Sequence, residues 1–166
     1  MKRQPSDMRV IFKILILLIT FDSLAQHDWD SKDWNKESLG FGCSVDGQMT
    51  KPVLKMTGYL ADRKFEKIRE VLNSDLPADQ FLATYLMEKL RDKKELEISD
   101  NELERIQEIK SSDMQVPICS GCTLWTEMPL NSLFDPKTKE IISRSADSWF
   151  DHYYKTYYKK KKKKDK

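Results

Sequence analysis

The feature that most constrains the fold is a series of four short amphipathic patterns in the middle of the chain. In each, apolar residues recur with the 3.6-residue period of an α-helix. Thr50 and Pro52 mark the start of the first helix, and Pro77 marks the start of the third. Ser99 and Glu102 form a capping box at the start of the fourth. Short helices with brief breaks predict a mainly α fold, a small bundle of antiparallel helical hairpins.

The apolar residues of these patterns define the expected core faces, and Asp62 is expected to cap the second helix. The layout resembles one or two units of a HEAT-type helical repeat. The two helix pairs share no sequence repeat, so the resemblance concerns architecture alone and carries over no functional residue. The side chains expected to face the core are Val53, Leu54, Met56, Thr57, Leu60, Phe65, Ile68, Val71, Leu72, Phe81, Leu82, Tyr85, Leu86, Leu90, Leu103, Ile106 and Ile109.

Residues 114–129 carry a different pattern, in which apolar residues flank the sequence Cys-Ser-Gly-Cys. This pattern predicts either a small hairpin that turns at its Ser-Gly centre or an ordered loop laid across the helices. One helical turn is expected over residues 130–134. A last helix is expected from about Ala146 through Tyr158.

The start of the chain indicates where the protein works. An apolar run from Ile14 to Phe21 follows four basic residues, and Asp22 closes it. Ser23 and Ala25 then occupy the −3 and −1 positions of a cleavage site, which is typical of a secretory signal peptide. The run is far short of the roughly 18 apolar residues that a membrane span needs. We therefore predict export to the periplasm, the cell surface or the medium, where disulfides are permitted.

Removal of the signal peptide leaves 141 residues, enough for one domain with a core of its own. The polar stretch ahead of the first helix shows no helical period, and self-repulsion is expected to keep the final lysines disordered. The expected parts are the signal peptide (1–25), a flexible mature N-terminus (26–48), the helical domain (49–134), a turn with a C-terminal aromatic helix (135–158) and a disordered polylysine tail (159–166).

Charge separates the tail from the rest of the mature chain. Residues 26–154 carry 17 basic and 24 acidic side chains, whereas residues 155–166 carry eight lysines and one aspartate. The aromatic stripe of the last helix either packs on the body or joins the lysines in an anchor for an anionic membrane or envelope surface. Nucleic acid fits less well, because the body is acidic. The anchor candidates are Trp149, Tyr153, Tyr157, Lys159, Lys160, Lys161, Lys162, Lys163 and Lys164.

The three cysteines that remain after export, Cys43, Cys119 and Cys122, admit three interpretations. Cys43 bridges to Cys119 or Cys122, which closes a long loop and stabilises the fold by roughly 4.5 kcal/mol on the loop-entropy model. Alternatively, Cys119 and Cys122 form a redox dithiol, although the residues that follow do not start a helix that would stabilise a thiolate. Zinc is the third interpretation, with His27 or His152 completing the ligand set.

No catalytic set is assembled in the sequence. Both histidines fit surface or partly packed positions, the carboxylates are scattered over helix faces, and five glycines leave little material for a phosphate loop. We therefore expect no catalytic residue, no cofactor and no metal site. The expected function is a non-catalytic binding or adaptor protein of the envelope or extracellular space, with another protein as its partner. The alternative is a small thiol-active protein that uses the Cys-Ser-Gly-Cys pair.

Overall fold

The structure, a computed structural model, describes residues 34–122, 124–135 and 142–158. The expected signal peptide (1–25) and the polylysine tail (159–166) lie outside the described residues, as does the start of the expected flexible N-terminus. Six α-helices and one two-stranded antiparallel sheet make up most of the described chain, so the prediction of a mainly α fold is confirmed. No helix within the described residues has the length and apolar composition of a membrane span.

The elements follow the predicted order closely, although the last helix begins four residues earlier than expected. The pairing of helices into antiparallel, HEAT-type hairpins stays a prediction. The elements are α1 (Trp34–Glu37), α2 (Lys51–Ala61), α3 (Phe65–Val71), α4 (Pro77–Asp92), α5 (Asp100–Ser111), β1 (Gln115–Ser120), β2 (Leu124–Pro129), a 3-10 helix (Leu130–Phe134), α6 (Ile142–Tyr153) and a π-helical segment (Tyr154–Tyr158).

Local start and stop signals explain most of the helix boundaries. Thr50 is the N-cap of α2, and the backbone N–H and hydroxyl of Ser99 both donate to the Glu102 carboxylate at 2.8 Å. The prediction that Asp62 caps α3 is wrong, because Asp62 ends α2, where its N–H bonds to carbonyls of that helix. Arg63 then adopts a φ of 58°, which turns the chain before α3 starts at Phe65.

Helix α4 is the centre of the fold. Ten of its 16 residues are buried, and it packs against α2, α3, α5, β1 and the 3-10 helix. A helix surrounded in this way loses the polar face that marks a surface helix. The prediction that Leu54 faces the core is wrong: Leu54 is 50% exposed, because Val53, Met56 and Leu60 already form the buried stripe of α2.

Residues 114–129 form the hairpin, not the alternative loop. β1 and β2 pair in an antiparallel register, and Gly121 adopts a φ of 59° in the turn between them. The other edge of β1 is occupied by the segment ahead of α2, since the Leu39 N–H donates to the Pro117 carbonyl at 2.8 Å. Leu39 is fully buried, so the packed core extends on the N-terminal side of residue 49, the predicted start of the helical domain.

Candidate functional site

Two of the three cysteines are joined. Cys43 and Cys119 form a disulfide with their Cα atoms 5.7 Å apart, and both residues are buried. Of the alternatives left open by the sequence, this is the long bridge, which spans a sequence separation of 76 residues. Cys122 is an exposed free thiol beside the hairpin turn. Cys119 is therefore bonded to Cys43 and not to its neighbour in the Cys-Ser-Gly-Cys sequence.

Gly40 makes the close approach around this disulfide possible. A Cβ atom on Gly40 would overlap the Cys43 Sγ and would lie 2.9 Å from the Cys119 Sγ and 3.0 Å from the Cys119 carbonyl oxygen. The Gly40 carbonyl also accepts the Thr50 N–H at 3.0 Å, which ties the segment to the start of α2. The sequence interpretation missed this role, although the glycine three residues before a cysteine was its visible signal.

The zinc interpretation gains no geometric support within the described residues, where no group of three or more His, Cys, Asp and Glu side chains is arranged to hold a metal ion. His152 lies on α6, with its ring 5.0 Å from the ring of Tyr153. His27 lies outside the described residues.

A groove of about 590 Å³ opens beside the disulfide. One wall is the segment ahead of α2, the other is α6, and the end of β1 lies between them. Its apolar lining consists of Phe41, Met49, Ile142, Trp149 and Tyr153. Its polar lining side chains are Ser120, Arg144, Ser145, Ser148 and His152. This size and this mixture of side chains are typical of a ligand site.

Side-chain contacts hold the two walls of the groove in place. The rings of Phe41 and Trp149, which both line the groove, lie 5.4 Å apart. The Trp149 indole N–H donates to the Thr57 hydroxyl of α2 at 2.8 Å. Since the disulfide fixes the opposite wall to β1, the groove is formed before any ligand arrives, which lowers the entropic cost of binding.

Arg144 and His152 are the groups in the described lining of the groove that can carry positive charge, and that lining includes no carboxylate. Residues 26–154 as a whole carry an excess of acidic side chains. The groove was not visible in the sequence, because its walls are about one hundred residues apart along the chain and no local pattern links them.

The aromatic residues at the end of the chain form two stacked rows on α6 and the π-helical segment. The inner row, Phe150, Tyr154 and Tyr158, is buried, with neighbouring ring centroids 5.2 Å and 4.9 Å apart. The hydroxyls of Tyr154 and Tyr158 both donate to the Glu95 carboxylate at 3.1 Å. Burial, together with the Glu95 carboxylate, raises the pKa of each of these tyrosines to about 12. The inner row anchors the helix to the body.

The outer row consists of Tyr153 and Tyr157, whose rings stack 5.5 Å apart. Tyr157 is 50% exposed, and Tyr153 is partly buried against the core. Of the three aromatic anchor candidates, Trp149 therefore lies in the core, Tyr153 at its edge and Tyr157 at the surface. The lysines proposed with them lie outside the described residues.

A second cavity, of about 210 Å³, lies between α4, α5 and α6. Asp147 of α6 accepts a hydrogen bond from the Tyr85 hydroxyl at 2.5 Å and pairs with Lys89 at 2.7 Å. Burial and the Asp147 carboxylate raise the pKa of Tyr85 far above its ordinary value. Lys110 pairs with Glu88 at 2.9 Å. Because these charges face one another, the cavity has the chemistry of a contact between helices.

Comparison with known families, characterised proteins and solved structures finds no match to this chain. Within the described residues, the groove beside the disulfide combines apolar and polar side chains as ligand sites do.

Proposed function

We propose that the protein is an exported, non-catalytic binding protein whose groove accepts a segment of a partner polypeptide. The observation that carries the proposal is the groove itself, whose lining combines aromatic and aliphatic side chains with hydroxyls. Sites that bind ligands combine apolar surface for affinity with a few polar groups for orientation.

The lining also defines the partner segment. Phe41, Met49 and Tyr153 offer apolar and aromatic contact to a large side chain of the partner. Arg144 and His152 supply N–H donors, which suit an acceptor such as a carboxylate of the partner. We therefore propose a segment that combines an apolar residue with an acidic one, in an extended or helical peptide.

Export is the second part of the proposal. It rests on the apolar run with its Ser23 and Ala25 cleavage positions, and it is supported by the disulfide between Cys43 and Cys119. Structural disulfides persist in oxidising compartments and are rare in the cytosol. Sequencing the N-terminus of the native protein tests this part, with Gln26 as the expected first residue.

A displayed peptide library tests the groove. The full chain is immobilised and the library is selected against it, in parallel with the variants Ser148→Trp and Ser111→Trp. Ser148 lines the groove, so an indole there fills it, whereas Ser111 is an exposed residue at the end of α5 outside the groove lining. We expect enrichment of acidic and apolar peptides that the Ser111→Trp control still binds and that Ser148→Trp binds at least about tenfold more weakly.

Two results would overturn the groove proposal. One is the absence of any enriched peptide from a library that yields binders for a control receptor. The other is an enriched set that binds Ser148→Trp and the parent chain equally well. Circular dichroism of both variants confirms beforehand that the added indole has not unfolded the chain.

The thiol-active alternative is favoured by one observation, the exposed free Cys122 three positions after Cys119. It requires Cys119 to leave Cys43 and pair with Cys122. Thiol labelling of the native protein followed by mass mapping distinguishes the two functions. A single reactive thiol at Cys122 supports the binding function, and a native population bridged between Cys119 and Cys122 supports the thiol-active one.

A further inference from the structure

We infer that the groove selects an extended partner segment in which two carboxylate side chains lie four positions apart, with apolar side chains at alternate positions between them. This segment occupies the groove of the proposed function, on which the inference therefore rests. It defines the partner more closely, by its conformation and by the spacing of the side chains that the groove recognises.

The close approach of the two walls favours an extended segment over a helix. The segment ahead of α2 and helix α6 approach each other at Phe41 and Trp149, which both line the groove and whose ring centroids lie 5.4 Å apart. An α-helix with its side chains is about 10–12 Å across. Gly42 and Gly47 contribute no side chain to the first wall, so the backbone of an extended segment can come close to it.

Helix α6 presents three polar side chains in one row along the groove. Arg144, Ser148 and His152 follow one another at intervals of four residues, so they share one face of the helix. All three are exposed, and all three line the groove. Arg144 and His152 carry N–H donors at the two ends of the row, which are about 12 Å apart along the helix axis. The Ser148 hydroxyl lies between them.

An extended segment laid along this row matches its spacing. A strand rises about 3.3 Å per residue, and alternate side chains point to the same side. Side chains four positions apart in the strand are therefore about 13 Å apart on one side, close to the separation of Arg144 and His152 along α6. Carboxylates at these two positions accept from Arg144 and His152, and such charge-assisted hydrogen bonds are stronger than neutral ones. A small polar side chain halfway between them meets Ser148.

The remaining side chains of such a segment point away from α6, towards the other wall. Phe41 and Met49 line that wall, and both are only partly buried against the core, so each retains apolar surface for a partner. Because removing such surface from water stabilises a complex, we expect aliphatic side chains of the partner at these positions. The recognised pattern is therefore acidic, apolar, small polar, apolar, acidic.

Two synthetic peptides with the same Gly-Ser flanks test the inference on the full chain. The matched peptide contains Glu-Leu-Thr-Leu-Glu. The control peptide contains Leu-Glu-Thr-Glu-Leu, which has the same composition and charge but carboxylates only about 7 Å apart. Fluorescence anisotropy measures both dissociation constants. We expect the matched peptide to bind about tenfold more tightly, because the control peptide reaches only one of Arg144 and His152 at a time.

Variants of the chain identify the groups that set this preference. In Arg144→Ala and in His152→Ala the preference should fall to within about threefold, because only one end of the row can still hold a carboxylate. Both side chains are exposed, so their truncation leaves the core intact. Lys67→Ala is the control: it removes an exposed cation of α3 outside the groove lining and should retain the tenfold preference of about 1.4 kcal/mol.

Three outcomes overturn the inference: equal affinity for the two peptides, binding of neither peptide, or an unchanged preference in both truncated variants. The library selection separates these outcomes from failure of the groove itself. An enriched set that Ser148→Trp no longer binds would keep the proposed function and exclude this spacing. A selection that yields no binder would remove both.

Discussion

Two segments flank the helical centre, and they are attached to it in different ways. The N-terminal arm, residues 38–50, is held by the disulfide between Cys43 and Cys119 and by backbone hydrogen bonds to β1. The C-terminal helix, α6 with the π-helical segment, is held by side-chain contacts within the part of the chain that the structure describes. These include the indole of Trp149 and the two phenols that meet at Glu95.

The chemistry of each attachment determines which conditions disrupt it. A disulfide and a backbone ladder contain no group that titrates, so the arm responds to reductant and hardly to pH. Phenols that donate to a carboxylate lose their protons at high pH, so the helix responds to alkali and hardly to reductant. Both segments line the groove, so binding there depends on both attachments.

Removing the disulfide is the largest perturbation of the arm. Cys43→Ala combined with Cys119→Ala should lower the free energy of unfolding by about 4.5 kcal/mol, because the loop of 76 residues is no longer closed in the unfolded chain. Urea unfolding monitored by tryptophan fluorescence measures the loss. Cys122→Ser is the control, and it should leave the midpoint unchanged, since Cys122 is exposed and free. A comparable loss in the control would mean that Cys122 takes part in the native bridge.

Gly40→Ala tests the attachment of the arm at a second position. The new Cβ would lie 2.9 Å from the Cys119 Sγ and would overlap the Cys43 Sγ, so the arm or the bridge must shift. We expect a loss of about 2–3 kcal/mol in the oxidised protein, as for an overpacked core. The loss should fall by more than half when the variant is made in the background without the two sulfur atoms. An equal loss in both backgrounds would show that the arm backbone, and not the disulfide, requires the glycine.

The helices and the hairpin could be predicted because their signals are local. Thr50 and Pro52, Pro77, and the capping box of Ser99 and Glu102 lie at the starts of α2, α4 and α5. Each signal acts within one turn of its own helix, so its effect does not depend on the rest of the fold. The failure at Asp62 has the same origin, since a residue able to cap the next helix is equally able to end the previous one.

The arm and the groove could not be predicted, because they depend on contacts between distant segments. Leu39 lies in a polar stretch without periodicity, and its burial follows from pairing with β1 almost eighty residues later. The two aromatic rows posed a related problem. Helical spacing placed Trp149, Tyr153 and Tyr157 on one stripe but did not show which stripe faces the core. The structure buries Trp149 and leaves Tyr157 outside.

High pH should release the C-terminal helix and leave the arm attached. The pKa of Tyr154 and of Tyr158 is raised to about 12 in the folded protein, against an ordinary value of 10.0. Between these values the folded state retains protons that the unfolded state has lost. The stabilisation is therefore complete below pH 10 and is lost as the pH rises towards 12.

We expect this release to cost about 2 kcal/mol, since the two phenols share one carboxylate and their shifts do not add fully. Urea unfolding between pH 9 and pH 12 measures it, with the double variant Tyr154→Phe, Tyr158→Phe as the comparison. The variant keeps the stacked rings and has no phenol to ionise at these positions, so its stability should fall less steeply. Parallel curves for the two proteins would show that the alkaline loss arises elsewhere.

Trp149→Phe has the smallest expected effect and tests whether the two attachments are energetically independent. Trp149→Phe removes the hydrogen bond to Thr57, which is 2.8 Å long, and should cost about 1 kcal/mol while leaving a ring against Phe41. If the helix is held separately from the arm, the cost is the same with and without the disulfide, within about 0.5 kcal/mol. A double-mutant cycle in urea measures this difference. A larger coupling would mean that Phe41 and Trp149 join the arm and the helix into one energetic unit. The two segments would then differ in the chemistry of their attachments, but they would not be stabilised independently.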